Sequence, residues 1–325
     1  VSEYFFWNEF GLRYNFIAVD YLIYTNEVIG NIMESYPVIP LFAAIFIITL
    51  TFTLLIFKRS KSSLLSLPNF KQKIILLGTF LIMGICSVFA INSLFSLKGS
   101  NTFSTEIQAN GLPKFYDAFV HKELDFFAFY PTLPQNEAEK IFLKQFNPPS
   151  LFRQVVSTKP EEKKNVVLIS VESLSADFMK SYGNEQNITP FLDSLATKSF
   201  VFTNLYATGN RTVRGLEALT LCIPPTAGES IVKRKDNKNK FSTGSVFKAK
   251  GYQVKYLYGG YSYFDNMQDF FSGNGYDIVD RDSFKPEEIS FANVWGVCDE
   301  DMAKKAITVM NEEAKTGKPF FNHWM

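Results

Sequence analysis

Two long apolar segments constrain this chain more than any other feature of its sequence. Residues 39–57 and 74–97 contain no Asp, Glu, Lys or Arg. An α-helix of either length can cross a hydrocarbon core of about 30 Å, and a charge at its centre would cost roughly 2.5–3.5 kcal/mol on insertion. A soluble domain rarely buries two helices of this length. We therefore predict transmembrane helices at residues 37–57 and 74–97.

Basic residues predict how these helices are oriented. The segment between them contains five basic residues and no acidic one, namely Lys58, Arg59, Lys61, Lys71 and Lys73. Because cytoplasmic loops carry an excess of Lys and Arg, we expect residues 58–73 to be cytoplasmic. Residues 1–36 and all residues after 97 would then be extracytoplasmic. The aromatic-rich residues 1–36 suit either an interfacial segment at headgroup depth or an ordinary loop.

The remaining sequence reads as a connector followed by one soluble domain. Residues 98–164 alternate short helical patterns with proline-rich stretches, and the charged run Lys159-Pro-Glu-Glu-Lys-Lys164 closes them. Residues 165–325 then alternate strand and helix patterns, which predicts a three-layer α/β domain with a mostly parallel sheet. The predicted strands lie at residues 166–171, 200–206, 253–258 and 318–325, and the helices at 189–198, 213–221 and 299–315.

Bulk properties exclude some functions. The formal net charge is +1, so no strong field argues for nucleic acid. Cys86 lies in an apolar segment, and we expect the other two cysteines, Cys222 and Cys298, to be free. The chain begins at Val1 without Met and stops directly after an apolar strand pattern, which we interpret as a fragment of a longer protein.

Glu172 is the first candidate for chemistry, because it follows the apolar run Asn165-Val-Val-Leu-Ile-Ser-Val. Ligands of parallel sheets gather beyond the carboxyl ends of the strands. A carboxylate there suits a hard or borderline divalent cation. The structural alternative is a capping or solvated residue.

Thr212 is the second candidate, in the segment Thr208-Gly-Asn-Arg-Thr212 between a predicted strand and a predicted helix. We predict that Thr212 is the N-cap of this helix, where backbone N–H groups also bind phosphate. A capping hydroxyl beside a metal can act as a nucleophile, so both roles are compatible. The neighbouring Arg211 and Arg214 could bind phosphate or be surface charges.

Together with Ser181-Tyr-Gly-Asn184 and Ile188-Thr-Pro-Phe-Leu-Asp-Ser-Leu-Ala196, these residues resemble the sulfatase-like branch of the alkaline phosphatase superfamily. More narrowly, they resemble membrane-bound phosphoglycerol transferases, including the lipoteichoic acid synthase family. The resemblance implies a divalent metal, Mn²⁺ or alternatively Mg²⁺ or Zn²⁺, bound by Glu172 and Thr212. It also implies that Thr212 attacks the phosphodiester of phosphatidylglycerol. The implied location is a bacterial cytoplasmic (inner) membrane, with several spans and an extracytoplasmic catalytic domain.

The sequence departs from that family in two places. The family's Asp-His metal pair and substrate-binding His residues have no match in these 325 residues, whose histidines are His121 and His323. We therefore expect this stretch to be inactive alone. Where the family has Trp and Arg, this sequence has Phe264, Asp265 and Asn266. Asp265 and Asn266, with Arg211, are candidate substrate-binding residues, and an ordinary turn is the alternative for Asp265 and Asn266.

These expectations define one function and two rivals. The first is transfer of phosphoglycerol from phosphatidylglycerol to a glycan or glycopolymer acceptor through a phospho-threonine. The rivals are phosphoethanolamine transfer, or an inactive membrane protein that binds or senses a glycopolymer. Hydrolysis of sulfate esters is disfavoured, because Cys222-Ile-Pro-Pro-Thr226 has Thr where the formylglycine motif requires Arg.

Overall fold

A computed structural model describes residues 2–64, 69–95, 101, 104, 107–120, 132–146, 156–226 and 228–325. The chain divides into two compact units, Val1–Lys122 and Glu123–Met325. The two apolar segments lie in the first unit, and the predicted α/β domain lies in the second.

Helices make up the described part of the first unit. They are α1 (Ser2–Phe10), α2 (Phe16–Ile23), α3 (Thr25–Ser35), α4 (Val38–Leu64), α5 (Phe70–Phe95) and α6 (Gly111–Val120). A small core joins Phe6 of α1 to Ile17 and Ala18 of α2, with Phe115 of α6 packed against it. Residues 1–36, predicted as an interfacial segment or a loop, are therefore largely helical.

α4 and α5 are long and apolar enough to cross a membrane, over Val38–Lys61 and Phe70–Ser87, judged by length and composition. Large side chains on both helices, such as Phe42 and Phe80, are exposed. The predicted basic loop is mostly helical, because α4 continues to Leu64 and α5 begins at Phe70. Lys and Arg are good helix formers, so they extend an apolar helix without interrupting it.

The second unit is built on a parallel sheet. Its strands are β1 (Val166–Ile169), β2 (Gln253–Leu257), β3 (Asp277–Val279) and β4 (Phe320–Trp324), in the order β1-β4-β2-β3. All three pairings are parallel. The predicted α/β class with a parallel sheet is confirmed.

Helices cover both faces of this sheet, and further helices lie at α7 (Gln135–Phe146) and α8 (Pro190–Ala196). Under α9 (Thr212–Leu221), α10 (Thr243–Ala249) and α11 (Met267–Gly273) lies a core that includes Leu216, Tyr256 and Phe271. Leu257 packs on the opposite face, against α12 (Asp299–Lys315). A β-strand alternates its side chains between two faces, so consecutive residues of β2 serve both cores.

The predicted strand at Phe200–Tyr206 is wrong. The segment is irregular, and Phe200 is 84% exposed. A β-rich composition forms a strand only where a neighbouring strand offers a partner. In the described part of the chain, β1 pairs with β4 alone, and no strand pairs with its other edge.

Replacing Phe271 should destabilise the second unit strongly. Its ring is 0% exposed and stacks on Tyr256 with centroids 3.7 Å apart. Phe271→Ala should therefore lower the free energy of unfolding by about 3–5 kcal/mol. Phe241, which is 82% exposed, is the matched control. Denaturant unfolding, followed by near-ultraviolet circular dichroism, gives the free energy of unfolding of Phe271→Ala and of Phe241→Ala. Equal decreases in the two variants would contradict the assignment of Phe271 to the core.

Candidate active site

The end of β1 brings Glu172 to the start of α9. Thr212 Oγ1 donates a hydrogen bond to Glu172 Oε2 over 2.9 Å, although 40 positions separate the two residues. Glu172 is exposed and Thr212 is half-buried, so both are open to a ligand. The two candidates that were chosen from the sequence therefore lie together at the carboxyl edge of the sheet, where α/β proteins bind their ligands.

A strained turn presents the carboxylate of Glu172. Ser173 has φ of +57°, in the left-handed region, and its hydroxyl donates to Glu172 Oε1 over 3.3 Å. A non-glycine residue in this region costs about 1–2 kcal/mol. Both oxygens of Glu172 thus accept hydroxyl hydrogen bonds, from Ser173 on one side and Thr212 on the other.

Thr212 is the first residue of α9 and not its N-cap, which corrects the sequence prediction. The N-cap is Arg211, with extended backbone angles of φ −126° and ψ 143° and no side-chain capping bond. The Thr212 hydroxyl instead bonds to Glu172. The first turn of α9 therefore lacks a side-chain cap. The N–H of Arg214 donates to the carbonyl oxygen of Arg211 over 2.9 Å, so the N–H groups of Thr212 and Val213 are the ones left for an anion at the positive end of the helix dipole.

The two arginines beside Thr212 differ. Arg214 donates to Glu217 Oε1 over 3.0 Å and to two backbone carbonyls of the loop after α9. It therefore serves the packing of α9 and is not available to a phosphate. In the described residues the half-buried guanidinium of Arg211 makes no hydrogen bond or ion pair, so it keeps all its donors for a ligand.

A buried polar network holds the start of α9 in place. Glu217 is fully buried, and its Oε2 accepts from Ser230 Oγ over 2.7 Å and from the backbone N of Ile231 over 2.6 Å. Ser230 Oγ also lies 3.1 Å from the carbonyl oxygen of Val213. Because Val213 follows Thr212 directly, this network fixes the helix turn that carries the candidate nucleophile.

Asp265 and Asn266 form an unusual turn after β2. Both are left-handed, with φ of +51° and +60°. Asp265 is buried, with Oδ1 3.7 Å from Lys233 Nζ, and Asn266 donates to the carbonyl oxygen of Val232 over 3.0 Å. These side chains therefore hold the turn against the segment that follows α9.

Asp265 and Glu172 act on the same buried phenol. Burial raises the pKa of Tyr256, and the charges of Tyr258, Asp265 and Glu172 raise it further. Both carboxylates follow strands of the same parallel sheet, Glu172 after β1 and Asp265 after β2.

Two residues at this edge were missed from the sequence. Ser170 Oγ lies 2.8 Å from Nε2 of His323, which is fully buried in β4. Desolvation lowers the pKa of His323 to about 4. The only sequence signal was one polar residue in each of two apolar segments. These residues could be recognised as a pair only by knowing that β1 and β4 are neighbours.

Glu172 and Thr212 are the described residues whose side chains could contribute to a metal site. Glu172 and Thr212 offer two oxygen ligands, which suit Mn²⁺ or Mg²⁺ better than soft cations. No group of three or more His, Cys, Asp or Glu side chains within the described residues could hold a metal ion. The donor set therefore fits a hard cation in kind, and further ligands have to complete its coordination.

Comparisons with known proteins agree with this architecture. Residues 164–325 match the family model described as Sulfatase. A solved structure of a protein in the alkaline phosphatase superfamily from Vibrio parahaemolyticus is 33% identical, with a TM-score of 0.54 over 61% of this chain and 50% of that chain. The lipoteichoic acid synthase LtaP from Listeria monocytogenes is 19% identical, with a TM-score of 0.45 over 50% of this chain and 40% of that chain. This chain thus spans half or less of the solved structures that it matches.

A parallel sheet with its candidate site at the carboxyl edge, and the likeness to the Vibrio protein, define an α/β domain of the alkaline phosphatase superfamily. Within that superfamily, residues 164–325 form a domain that matches the sulfatase family. The resemblance drawn from the motifs around Glu172 and Thr212 is confirmed at the level of this family.

The buried His323 should make stability fall in mild acid. Its pKa is about 4 in the folded protein against 6.5 as the reference, so below pH 6.5 the unfolded chain binds a proton that the folded protein refuses. Stability present above pH 6.5 should therefore decrease by roughly 3 kcal/mol as the pH falls to 4. Backbone N–H groups of Ser181 and Ser290 lower the pKa values of Asp193 and Asp301 to about 2. Protonation of these two carboxylates therefore reduces stability only at a lower pH than protonation of His323 does.

Urea unfolding of the wild type and of His323→Asn at several pH values tests this expectation. The difference between the two proteins should change between pH 6.5 and 4 and stay constant above pH 7. A constant difference over the whole range would show that His323 does not remain neutral and buried.

Proposed function

We propose that this protein transfers phosphoglycerol from phosphatidylglycerol to a hydroxyl of a glycan or glycopolymer, with Thr212 as the nucleophile. The observation that carries this proposal is the 2.9 Å hydrogen bond between Thr212 and Glu172 at the carboxyl edge of the sheet. The match to the sulfatase family supports a reaction on a charged ester. It does not by itself select the donor lipid.

Thr212 and Glu172 perform the bond-making step in this proposal. Thr212 Oγ1 attacks the phosphorus, the bond to the diacylglycerol oxygen breaks, and that oxygen takes up the proton that Thr212 loses. A glycerophospho-threonine forms. An acceptor hydroxyl then attacks the same phosphorus, the bond from phosphorus to Thr212 Oγ1 breaks, and Oγ1 takes up the proton that the acceptor loses. A divalent cation bound partly by Glu172 and Thr212, Mn²⁺ by family resemblance with Mg²⁺ or Zn²⁺ as alternatives, would supply charge neutralisation and a lower pKa for the hydroxyl.

Arg211 and the start of α9 bind the phosphoryl group. Arg211 has no described partner, and its guanidinium can donate two parallel hydrogen bonds to phosphate oxygens. The uncapped N–H groups of α9 add further donors beside Thr212. Asp265 and Asn266 are the further substrate-binding residues of this proposal. Their turn would line the candidate site, and Asp265 would add a negative charge there.

The membrane helices agree with a lipid donor. We propose that α4 and α5 cross the bacterial cytoplasmic membrane, with residues 58–73 in the cytoplasm and residues 98–325 outside it. A headgroup in the outer leaflet would then be available to the domain at residues 165–325. The two apolar helices and the basic residues between them support this arrangement.

Replacing the nucleophile should abolish the covalent intermediate. In the protein produced from the complete gene and incubated with phosphatidylglycerol, Thr212→Ala should show no glycerophosphate adduct by peptide mass spectrometry, and transfer should fall at least about 100-fold. Thr212→Ser keeps the hydroxyl and should retain the adduct. An adduct on the Ala variant would remove Thr212 from the mechanism. Labelled phosphatidylethanolamine, supplied in parallel, separates phosphoethanolamine transfer from phosphoglycerol transfer.

The proposed orientation predicts opposite exposure of two engineered cysteines. In a background with Cys222→Ser and Cys298→Ser, a membrane-impermeant maleimide should label Glu287→Cys in intact cells (spheroplasts where an outer membrane is present). It should label Lys61→Cys only after the membrane is permeabilised. Labelling of Lys61→Cys without permeabilisation would reverse the proposed orientation.

A further inference from the structure

Ser170 lies on the face of the sheet that carries the candidate site. Val166 and Leu168 of β1 pack against the core beneath α9, and Ser170 continues the same alternation. In β4, Phe321 belongs to that core, and His323 is two positions further on. The pair of Ser170 and His323 is therefore on the side of the sheet where Glu172 meets Thr212.

The surroundings of His323 indicate which of its nitrogens carries the proton. Burial keeps the pKa of His323 at about 4, so the ring is neutral at pH 7 and has one N–H. Nε2 is 2.8 Å from Ser170 Oγ, whereas Nδ1 is buried and has no partner within the described residues. A buried N–H without an acceptor is rarer in proteins than a buried acceptor without a donor. The proton therefore belongs on Nε2, which donates to Ser170.

This assignment leaves the Ser170 hydroxyl with an unused hydrogen. A serine hydroxyl has one hydrogen, and when it accepts from His323 that hydrogen must point elsewhere. His323 is the one hydrogen-bond partner of the Ser170 side chain within the described residues. Ser170 is half-buried, and it lies two positions before Glu172 on the face of the sheet that carries the candidate site.

We infer that Ser170 is a further substrate-binding residue, whose hydroxyl donates a hydrogen bond to a phosphoryl oxygen held beside Glu172 and Thr212. This inference rests on the proposed function, because it needs a phosphoryl group at that site. Glu172 can only accept hydrogen bonds, and Thr212 loses its proton on attack. Ser170 thus adds a neutral donor to those of Arg211 and α9, and His323 fixes its direction.

The tautomer of His323 can be measured without any turnover. In the protein from the complete gene labelled with ¹⁵N at histidine, comparison of the wild type with His323→Asn assigns the ring signals of His323. A long-range proton–nitrogen correlation spectrum distinguishes the two tautomers. We expect the proton of His323 on Nε2. A proton on Nδ1 would make Ser170 the donor to His323 and would overturn the inference, whether or not the proposed transfer occurs.

Binding of inorganic phosphate tests the consequence. In the protein from the complete gene with Mg²⁺ present, Ser170→Ala should weaken phosphate binding roughly 10–100-fold by calorimetry, the usual effect of one hydrogen bond to a charged group. Ser170→Thr keeps a hydroxyl at a strand end and should recover most of the affinity. Ser194→Ala, at an exposed serine of α8, is the matched control and should bind like the wild type.

The outcomes separate the inference from the proposed function. Equal phosphate affinity of Ser170→Ala and the wild type would overturn the role of Ser170, and the adduct on Thr212 would still test the transfer. Failure of Ser170→Thr to recover binding would also count against a hydroxyl donor. A wild type that does not bind phosphate would overturn both proposals, since both require a phosphoryl site at this edge.

Discussion

The hydrogen bond between Glu172 and Thr212 is the contact on which the candidate site depends. It joins the segment after the edge strand β1 to the first residue of α9. Further contacts fix the position of each partner. The network around the buried carboxylate of Glu217 fixes the helix turn of Thr212, and the left-handed turn at Ser173 positions Glu172. An exposed pair of this kind would be mobile in isolation, and these supports give it a defined geometry.

Much of this fold could be predicted from the pattern of apolar residues. The helix at Asp299–Lys315 was predicted with the observed bounds, and three predicted strands are present in shorter form. Local periodicity is strong in such segments because burial dominates their free energy. It failed for Phe200–Tyr206, whose composition favours a strand but which has no neighbouring strand within the described residues. It also missed α10, α11 and β3, which are too short for a pattern to develop.

The candidate site could be predicted from the sequence where a single residue type at a single position was enough to indicate chemistry. A carboxylate after an apolar strand and a threonine before a helix pointed to Glu172 and Thr212, and the structure places them in contact. Relations across the fold were not predictable. The adjacency of β1 and β4 joins residues 153 positions apart and creates the Ser170 and His323 pair. In the same way, Arg214 was judged from its neighbours in sequence, whereas its partners lie in the loop beyond α9.

The paired left-handed residues Asp265 and Asn266 have a consequence for how this family can diversify. Two successive positions of this kind admit Gly, Asn and Asp readily, and branched side chains hardly at all. Evolution therefore cannot freely exchange these two residues. Sequence change is easier at the neighbouring Phe264, whose ring meets Trp295 edge to face and where the main chain imposes no such restriction.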